Sequence, residues 1–276
     1  MNKADRPLDA APRPPQEMRA VERIAAILRS FSMAQPMLSL TEVARAANLD
    51  KNTTRRLLLA LAAEGLVRRD ESERSWGLDI GVMKLQPAVL GPRTLRETAA
   101  PFLQWLTERS GMTSFFWIAD PDGAICIDRV RAGGEFRDVF WSTPGTVLPM
   151  NVASGPRVVL AHLDDAARTA WLARPQPRFT GATQTDPAEL LRAAARIRAQ
   201  GHELAVNDYY VGMAGLAVPV TDRSGGFIGA ISVTSSASEF AAEDRQQELL
   251  AVLREAAVAI GVRLGPNPGV PLHPAG

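Results

Sequence analysis

The stretch LDKNTTRRLLLALAAEGLVRRD, residues 49–70, sets five basic side chains beside a run of leucines. On a helical wheel with about 100° between residues, one side carries the inward-facing set Thr54, Leu57, Leu58 and Leu61. The opposite side carries Asn52, Arg55 and Arg56. Two interpretations are open: a solvated surface helix with a basic rim, or a helix that lies against an anionic partner. The flanking sequence distinguishes them.

Two shorter helices are predicted before this stretch. Apolar residues at helical spacing between Val21 and Phe31 predict the first helix, which ends before Gln35-Pro36. The segment Ser39-Leu40-Thr41-Glu42 has the pattern of a capping box and starts the second, which Asn48 ends in a left-handed conformation. The third helix follows after a tight turn, and Gly65 closes it.

Two short strands are predicted after the third helix, at residues 66–69 and 75–78, around a polar turn. The order helix, helix, helix, strand, strand is that of a winged helix-turn-helix whose third helix enters the DNA major groove. Between Arg19 and Arg69 we count nine basic and four acidic residues, in a chain whose net charge is only +1. This local excess of positive charge favours phosphate binding over a merely solvated surface.

We therefore predict contacts with double-stranded DNA by the outward side chains of the second and third helices and of the first predicted strand. Arginine and asparagine have the paired donors and acceptors that can recognise guanine and adenine edges. The dipole at the amino end of the third helix adds a preference for phosphate. The predicted DNA-binding residues are Ser39, Thr41, Lys51, Asn52, Thr53, Arg55, Arg56, Arg68 and Arg69.

Composition limits what else the chain can be. Its 276 residues are 46% hydrophobic and 22% charged, as in globular proteins of one or two domains. No apolar run approaches the roughly 18 residues of a membrane helix, so we expect no membrane association. The single Cys126 excludes an internal disulfide, suits a reducing cytoplasm and is expected to be buried. Three distant histidines make a zinc site unexpected, and we predict neither a metal nor another cofactor.

The second half of the sequence predicts an α+β domain on an antiparallel sheet. A helical run from Val82 to Leu90 is broken by Gly91-Pro92, and a longer helix is expected from Thr94 to Arg109. Two strand pairs follow, the first joined by Pro121-Asp122-Gly123 and the second at residues 215–234. Helices are predicted between these pairs, and another helix ends the domain.

The run SLTEVARAANLDKNTTRRLLLALAAEGLVRRD and the later segments LPMNVASGPRVVLAHL and AVNDYYVGMAGLAVPVTDRSGGFIGAISVTSS resemble the IclR (isocitrate lyase regulator) family of bacterial transcription factors. The resemblance extends over about residues 20–264. It implies a winged helix-turn-helix (residues 19–80), a linker helix region (81–98) and a GAF-like effector-binding domain (99–264), assembled as homodimers or homotetramers on a palindromic operator. From their composition, the Pro-rich residues 1–18 are expected to be a disordered lead and the Pro/Gly-rich residues 265–276 a flexible tail.

The resemblance also implies an effector pocket, and the hydroxyl, amide and indole groups at its positions suggest a small organic acid, aromatic acids included. Its residues would be Val139, Trp141, Asn151, Ser154, Gly155, Asn207, Asp208, Gly215, Ser232 and Thr234. Three places depart from the family: Asn151 stands for a common histidine, Pro156-Arg157 for Gly-Lys, and Tyr209-Tyr210 for smaller residues. These departures predict either an unusual effector or a pocket that is narrowed or unused.

Other interpretations remain open at this stage. Ser232 and Thr234 can be ordinary strand residues, and Trp141 can simply pack in a core or an interface. The second domain can serve assembly alone, without an effector. Ser154 with His162 could form a hydrolase site, although the sequence offers no orienting acid and no GxSxG, Walker or GxGxxG motif. We therefore expect a regulator and not an enzyme.

Overall fold

The computed structural model describes residues 16–32, 35–85, 90–133 and 142–264. The chain divides into two compact units, the first ending at residue 89 and the second starting at Leu90. Helix α1 begins at Gln16, so the last three residues of the predicted lead are helical. Residues 1–15 of that lead and the predicted tail 265–276 lie outside the described residues.

The first unit contains four helices and a small sheet among its described residues. Three antiparallel strands form the sheet in the order β1-β3-β2. Its elements are α1 (Gln16–Arg29), β1 (Met37–Ser39), α2 (Leu40–Ala46), α3 (Lys51–Ala63), β2 (Val67–Asp70), β3 (Ser75–Leu78) and α4 (Ile80–Met83). One apolar core joins them, with Ile27, Val43, Leu58 and Trp76 among its members.

Local sequence signals explain the boundaries of these helices. Both halves of the capping box form: Ser39 Oγ accepts from the Glu42 amide, and Glu42 Oε2 accepts from the Ser39 amide at 2.7 Å. Asn48 and Gly65 adopt positive φ angles of 52° and 68°, which turn the chain out of α2 and α3. The predicted winged helix-turn-helix is confirmed in its order of elements.

Strand β1 was not predicted from the sequence. It has only three residues and pairs antiparallel with β3, placing Met37 opposite Gly77. A Cβ atom at Gly77 would lie 2.5 Å from Met37 Sδ, so glycine at this position leaves the space that the Met37 side chain occupies. Three residues are too few for alternation to be visible in a sequence.

The second unit is built on one six-stranded antiparallel sheet with the order β6-β5-β4-β9-β8-β7. Its helices are α5 (Leu90–Ser110), α6 (Ser154–His162), α7 (Asp165–Leu172), α8 (Pro187–Gln200) and α9 (Glu243–Leu264). Its strands are β4 (Thr113–Asp120), β5 (Gly123–Val130), β6 (Val147–Leu148), β7 (Glu203–Val206), β8 (Met213–Thr221) and β9 (Phe227–Ser236). The α+β class predicted from the sequence is confirmed.

The predicted break at Gly91-Pro92 was wrong. Helix α5 begins at Leu90, so both residues lie in its first turn, where proline costs no helical hydrogen bond because that amide has no acceptor within the helix. Helix α4 ends at Met83, well before the predicted end at Leu90. Residues 86–89 of that predicted helix lie outside the described residues.

The sheet of the second unit is covered on both faces. Helices α5 and α9 pack on one face, against Phe116, Leu216, Ile231 and their neighbours. Helices α6, α7 and α8 lie over the other face, which carries Phe115, Trp117 and Ala230. Alternation along each strand supplies both cores, because successive side chains point to opposite faces.

The capping box gives a test of how α2 is held. We expect Ser39→Ala to destabilise α2 by about 1 kcal/mol, because the Glu42 amide loses its acceptor. Thr41→Ala, an exposed change two positions after Ser39 in the first turn of the same helix, is the matched control and should have little effect. Native-state hydrogen exchange of α2 amides in the full-length protein measures both. Equal protection in the two variants would show that the box does not stabilise the helix.

Candidate functional site

The outer surface of α3 is exposed along its first half. Lys51, Asn52, Arg55 and Arg56 are exposed, whereas Thr54, Leu58 and Leu61 are buried. The inward and outward faces therefore match those expected from the spacing of the residues. Nothing in the described part of the first unit covers this basic surface, so it is accessible to a partner.

The amino end of α3 is capped by an acid. Asp50 Oδ1 accepts from the Thr53 amide at 2.9 Å, and this hydrogen bond, the largest cause, lowers the pKa of Asp50. Its carboxylate is therefore ionised at neutral pH and already accepts a hydrogen bond from one of the first-turn amides, which have no acceptor within the helix. An anion approaching α3 meets the side chains of Lys51, Arg55 and Arg56 rather than an open helix end.

The hairpin of β2 and β3 presents two further arginines. Arg68 and Arg69 are both exposed. Arg69 pairs with Glu71 at 3.0 Å, and its guanidinium lies over the Trp76 ring at 5.7 Å. Arg68 is therefore the better placed of the two to meet an external phosphate. The Ser39 side chain serves the capping box, while Thr41 is exposed.

The second unit contains a cavity of about 40 Å³ between the sheet and the start of α6. Aromatic rings form much of its wall, and a few polar groups face it. The lining residues are Phe115, Trp117, Ser142, Leu148, Ala153, Ser154, Ala205, Asp208, Tyr209, Tyr210, Met213, Ala214, Gly215 and Thr234.

Trp117 fixes the start of α6 against the sheet. Its indole Nε1 donates to Ser232 Oγ at 3.1 Å, and both residues are buried. A Cβ atom at Gly155 would lie 2.3 Å from Trp117 Cδ1, so only glycine allows the helix to approach the ring this closely. Trp117 thus forms part of the cavity wall, and Gly155 and Ser232 hold it there from behind.

The amino end of α6 opens at this cavity without a side-chain cap. The N-cap residue Ala153 has φ 56° and ψ 150°, a conformation that residues with side chains rarely adopt. Such strain is maintained by surrounding contacts and clusters at binding sites. Pro156 has no amide hydrogen, so the donors of this first turn that can meet a ligand are the amides of Ser154 and Gly155.

A buried ion cluster lies beside this helix end. Arg157 Nη1 is 3.0 Å from Glu203 Oε1 and 3.6 Å from Asp208 Oδ2. Asp208 Oδ2 also accepts from the Ala153 amide at 3.0 Å, which links the strained residue to the cluster. Burial raises the pKa of both Glu203 and Asp208, although Arg157 opposes the shift. Two carboxyl groups therefore share one guanidinium, and only Asp208 faces the cavity.

The loop at residues 207–212 closes the cavity on another side. Asn207 Oδ1 accepts from the Gly212 amide at 2.6 Å, which ties the two ends of the loop together. Tyr209 packs edge-on against Phe179, with ring centroids 4.8 Å apart, and against Tyr210 at 4.7 Å. The loop therefore presents an aromatic cluster to the cavity.

The structure brings together part of the predicted effector site. Ser154, Asp208, Gly215 and Thr234 line the cavity, and Gly155 and Ser232 stand one contact behind it through Trp117. Asn207 holds its own loop. Val139 and Trp141 lie outside the described residues.

Asn151 does not line the cavity. Its amide donates to the carbonyl oxygens of Pro177 and Gln184, both at 2.9 Å, and so holds the segment that precedes α8. Its Oδ1 is buried and has no hydrogen-bond partner among the described residues. Asn151, which was predicted to bind the effector, therefore holds a neighbouring segment and is not part of the cavity wall.

Sequence reasoning did not select Phe115 and Trp117 for the site. They are two residues apart on β4 and therefore share a face, with their rings 5.7 Å apart. That spacing is visible in the sequence, but choosing the face requires knowing that β9 pairs with β4 and brings Ser232 opposite Phe115. Strand pairing was the information that the sequence lacked.

The hydrolase interpretation meets a geometric obstacle. Ser154 and His162 are the first and last residues of α6, about 12 Å apart along its axis at about 1.5 Å per residue. His162 Nδ1 is bonded to the Val158 carbonyl of the same helix, at 2.8 Å. The two side chains therefore cannot act as a nucleophile and its base.

Cys126 is fully buried, and burial raises the pKa of its thiol to about 12, as expected of a packing residue. Among the described residues, no group of three or more His, Cys, Asp or Glu side chains could hold a metal ion. None of the described helices has both the length and the apolar character needed to cross a membrane.

Both units of the chain match domains of known proteins. Residues 88–262 match the C-terminal domain of bacterial transcriptional regulators of the IclR type, and residues 20–71 match the IclR helix-turn-helix domain. The glycerol operon regulatory protein of Streptomyces coelicolor is 26% identical over 91% of this chain and 98% of its own length.

Solved structures show the same fold. A transcriptional regulator from Rhodococcus sp. RHA1 is 29% identical, with a TM-score of 0.72, over 88% of this chain and 96% of that chain. An IclR homolog from Microbacterium hydrocarbonoxydans, solved as a complex with 4-hydroxybenzoate, is 23% identical, with a TM-score of 0.73, over 87% of this chain and 97% of its own.

A winged helix-turn-helix followed by an α+β unit is the architecture of a class of DNA-binding transcriptional regulators. This chain belongs to the IclR family of bacterial transcriptional regulators. Its relatives in that family are regulators of transcription.

The ion cluster predicts a pH dependence of stability. Because the folded pKa values of Glu203 and Asp208 are raised, their contribution to stability is complete below the unfolded values, about 4, and is lost as pH rises through the folded values. We expect Asp208→Asn to remove part of this loss, so that the unfolding midpoint of the full-length protein falls less steeply as the pH rises above about 4.

Glu239→Gln, which removes an exposed carboxyl group of the same unit, is the control for this measurement. Its pH profile should follow the wild type. A profile of Asp208→Asn that also follows the wild type would show that the folded protein does not hold the proton at this cluster.

Proposed function

We propose that this protein regulates transcription by binding a palindromic operator through α3 and that a small organic acid, bound in the cavity of the second unit, changes that binding. The observation that supports the DNA contact most directly is the exposed face of α3. It carries Asn52, Arg55 and Arg56 within two turns, on a helix whose other side is buried. Amide and guanidinium groups at this spacing fit base edges and phosphates of a major groove.

The other DNA-binding residues have separate roles in this proposal. Lys51 and Thr53 flank the base-contacting face of α3. Thr41 is exposed at the start of α2, which is the helix that crosses the DNA backbone in a helix-turn-helix. Arg68 on β2 reaches the neighbouring phosphates. Arg69 stays with Glu71 and Trp76 and supports the hairpin.

Assembly follows from the size of the DNA contact. One winged helix covers few base pairs, so useful specificity requires at least two copies on related half-sites. The proposed assembly is a homodimer or a homotetramer. A two-fold arrangement of the chains would require a palindromic operator, because the DNA must then present the same half-site twice.

The cavity supports an acid as the effector. The uncapped amides of Ser154 and Gly155 and the hydroxyl groups of Ser154 and Thr234 offer donors to a carboxylate. Phe115, Trp117 and Leu148 offer apolar contact for the rest of the ligand. The complex of the Microbacterium homolog with 4-hydroxybenzoate is consistent with a carboxylic acid as the class of ligand.

Control of operator binding by the acid has a thermodynamic requirement. The acid must bind more tightly to one arrangement of the assembled protein than to another, because an effector with equal affinity for both shifts no equilibrium. The strained Ala153 and the ion cluster lie directly beside the proposed ligand position. They are the groups whose contacts a bound carboxylate would alter first.

The DNA contact is tested on the duplex that the wild-type protein selects from a random-sequence library, which we expect to be palindromic. Arg56→Ala should cost about 1–3 kcal/mol of specific binding if this side chain pairs with a base. Arg192→Ala, which removes an exposed arginine of the second unit, is the control. Fluorescence anisotropy at constant salt measures both. Wild-type affinity in the Arg55→Ala, Arg56→Ala double variant would rule out α3 as the recognition helix.

The effector contact is tested first by thermal-shift screening of the full-length protein against a library of carboxylic acids, since a bound ligand raises the unfolding midpoint. Thr234→Val should then weaken binding of the stabilising acid by roughly 1–3 kcal/mol, because one hydroxyl group is lost. Affinity for DNA without the acid should not change.

Ser236→Ala is the control for this variant, on the same face of β9 but exposed and outside the cavity lining. Unchanged affinity for the acid in Thr234→Val would place the ligand elsewhere. If no acid stabilises the wild-type protein, the second unit serves assembly without an effector.

A further inference from the structure

The aromatic cluster at the cavity determines how large a ligand can be. Tyr209 and Tyr210 both line the cavity, and Phe179 packs against the outer side of Tyr209. Tyr210 is 43% exposed, whereas Tyr209 is half-buried and packs with the core beneath α6. Tyr209 is therefore the ring that occupies interior space.

The backbone that carries Tyr209 is tied to a neighbouring segment. Thr180 Oγ1 donates to the Asn207 carbonyl and Thr183 Oγ1 to the Asp208 carbonyl, each at 2.6 Å. Asp208 itself is bound to the Ala153 amide on the other side. These hydrogen bonds fix the backbone that carries the ring, and the packing of the ring against Phe179 and Tyr210 restrains its rotation about the side-chain bonds.

The opposite wall is equally fixed. Trp117 is held by Ser232 and by its contact with Gly155, so it cannot turn aside for a larger ligand. Between these two walls the cavity measures about 40 Å³. One water molecule requires about 10–15 Å³, and a cavity of about 150 Å³ is known to admit benzene. The available space thus suits about three water-sized groups, well short of an aromatic ring.

We infer that Tyr209 is the residue that limits ligand size, so that this site takes short aliphatic carboxylates and excludes acids that carry a ring. This inference rests on the proposed function, since it requires that an acid binds in this cavity. It decides between the aliphatic and aromatic acids that the sequence left open. It also gives the departure at Tyr209 a physical role, the narrowing of the pocket.

The test uses the full-length protein and four acids of increasing size: acetate, propionate, butyrate and benzoate. Isothermal titration calorimetry measures each acid with the wild type, Tyr209→Ala and Tyr209→Phe. We expect the wild type to bind acetate or propionate and not benzoate. Tyr209→Ala should gain affinity for benzoate by roughly tenfold or more, the scale on which pocket volume discriminates between ligands. Tyr209→Phe keeps the volume and should behave as the wild type.

Tyr209→Val is the second variant if Tyr209→Ala does not fold, because valine keeps an apolar contact with Phe179 while removing the ring. Wild-type protein that binds benzoate as tightly as propionate would overturn the inference. So would a folded Tyr209→Ala or Tyr209→Val protein that binds propionate but still rejects benzoate, and in that case the proposed acid site stands. Absence of binding by all four acids to every variant would overturn the acid site and the size limit together.

Discussion

The contact between Trp117 and the start of α6 is the constraint on which the second unit depends. The indole N–H of Trp117 donates a hydrogen bond to Ser232. Helix α6 packs against the ring at Gly155, where any side chain would clash with the indole. A tryptophan that is buried with its donor paired combines a large apolar contact with a fixed orientation. From this contact follow the position of the open helix end, the unusual backbone at Ala153 and the wall that bounds the cavity.

How well a feature could be predicted from the sequence depended on how far apart in the chain its interacting residues lie. The capping box at Ser39, the left-handed turn at Asn48 and the inner face of α3 depend on neighbours a few residues away, and all three were predicted. The cavity depends on pairs far apart in the chain, such as Trp117 with Ser232, and the sequence gives no register for them. Resemblance to a family supplied Ser154 and Thr234, but not Phe115 or Trp117.

The charged groups beside the cavity of the second unit would not simply attract a carboxylate ligand. A carboxylate ligand would enter a site that already contains Asp208, with Arg157 shared between that group and Glu203. Desolvation favours the protonated form of a buried carboxyl group, so proton uptake at this cluster offsets the repulsion between two acids. Binding of the proposed acid would therefore be coupled to protonation of this cluster, because each would change the free-energy cost of the other.

The six-stranded sheet has its shortest strands at its two edges: β6 has two residues and β7 four, whereas each inner strand has at least eight. Unpaired backbone groups on an outer strand can recruit extended segments of other chains, and short outer strands reduce that hazard. A regulator that must stay dispersed while it searches long stretches of chromosome gains from this trait. The short strands at both edges of the sheet thus protect the protein against fibrous self-association.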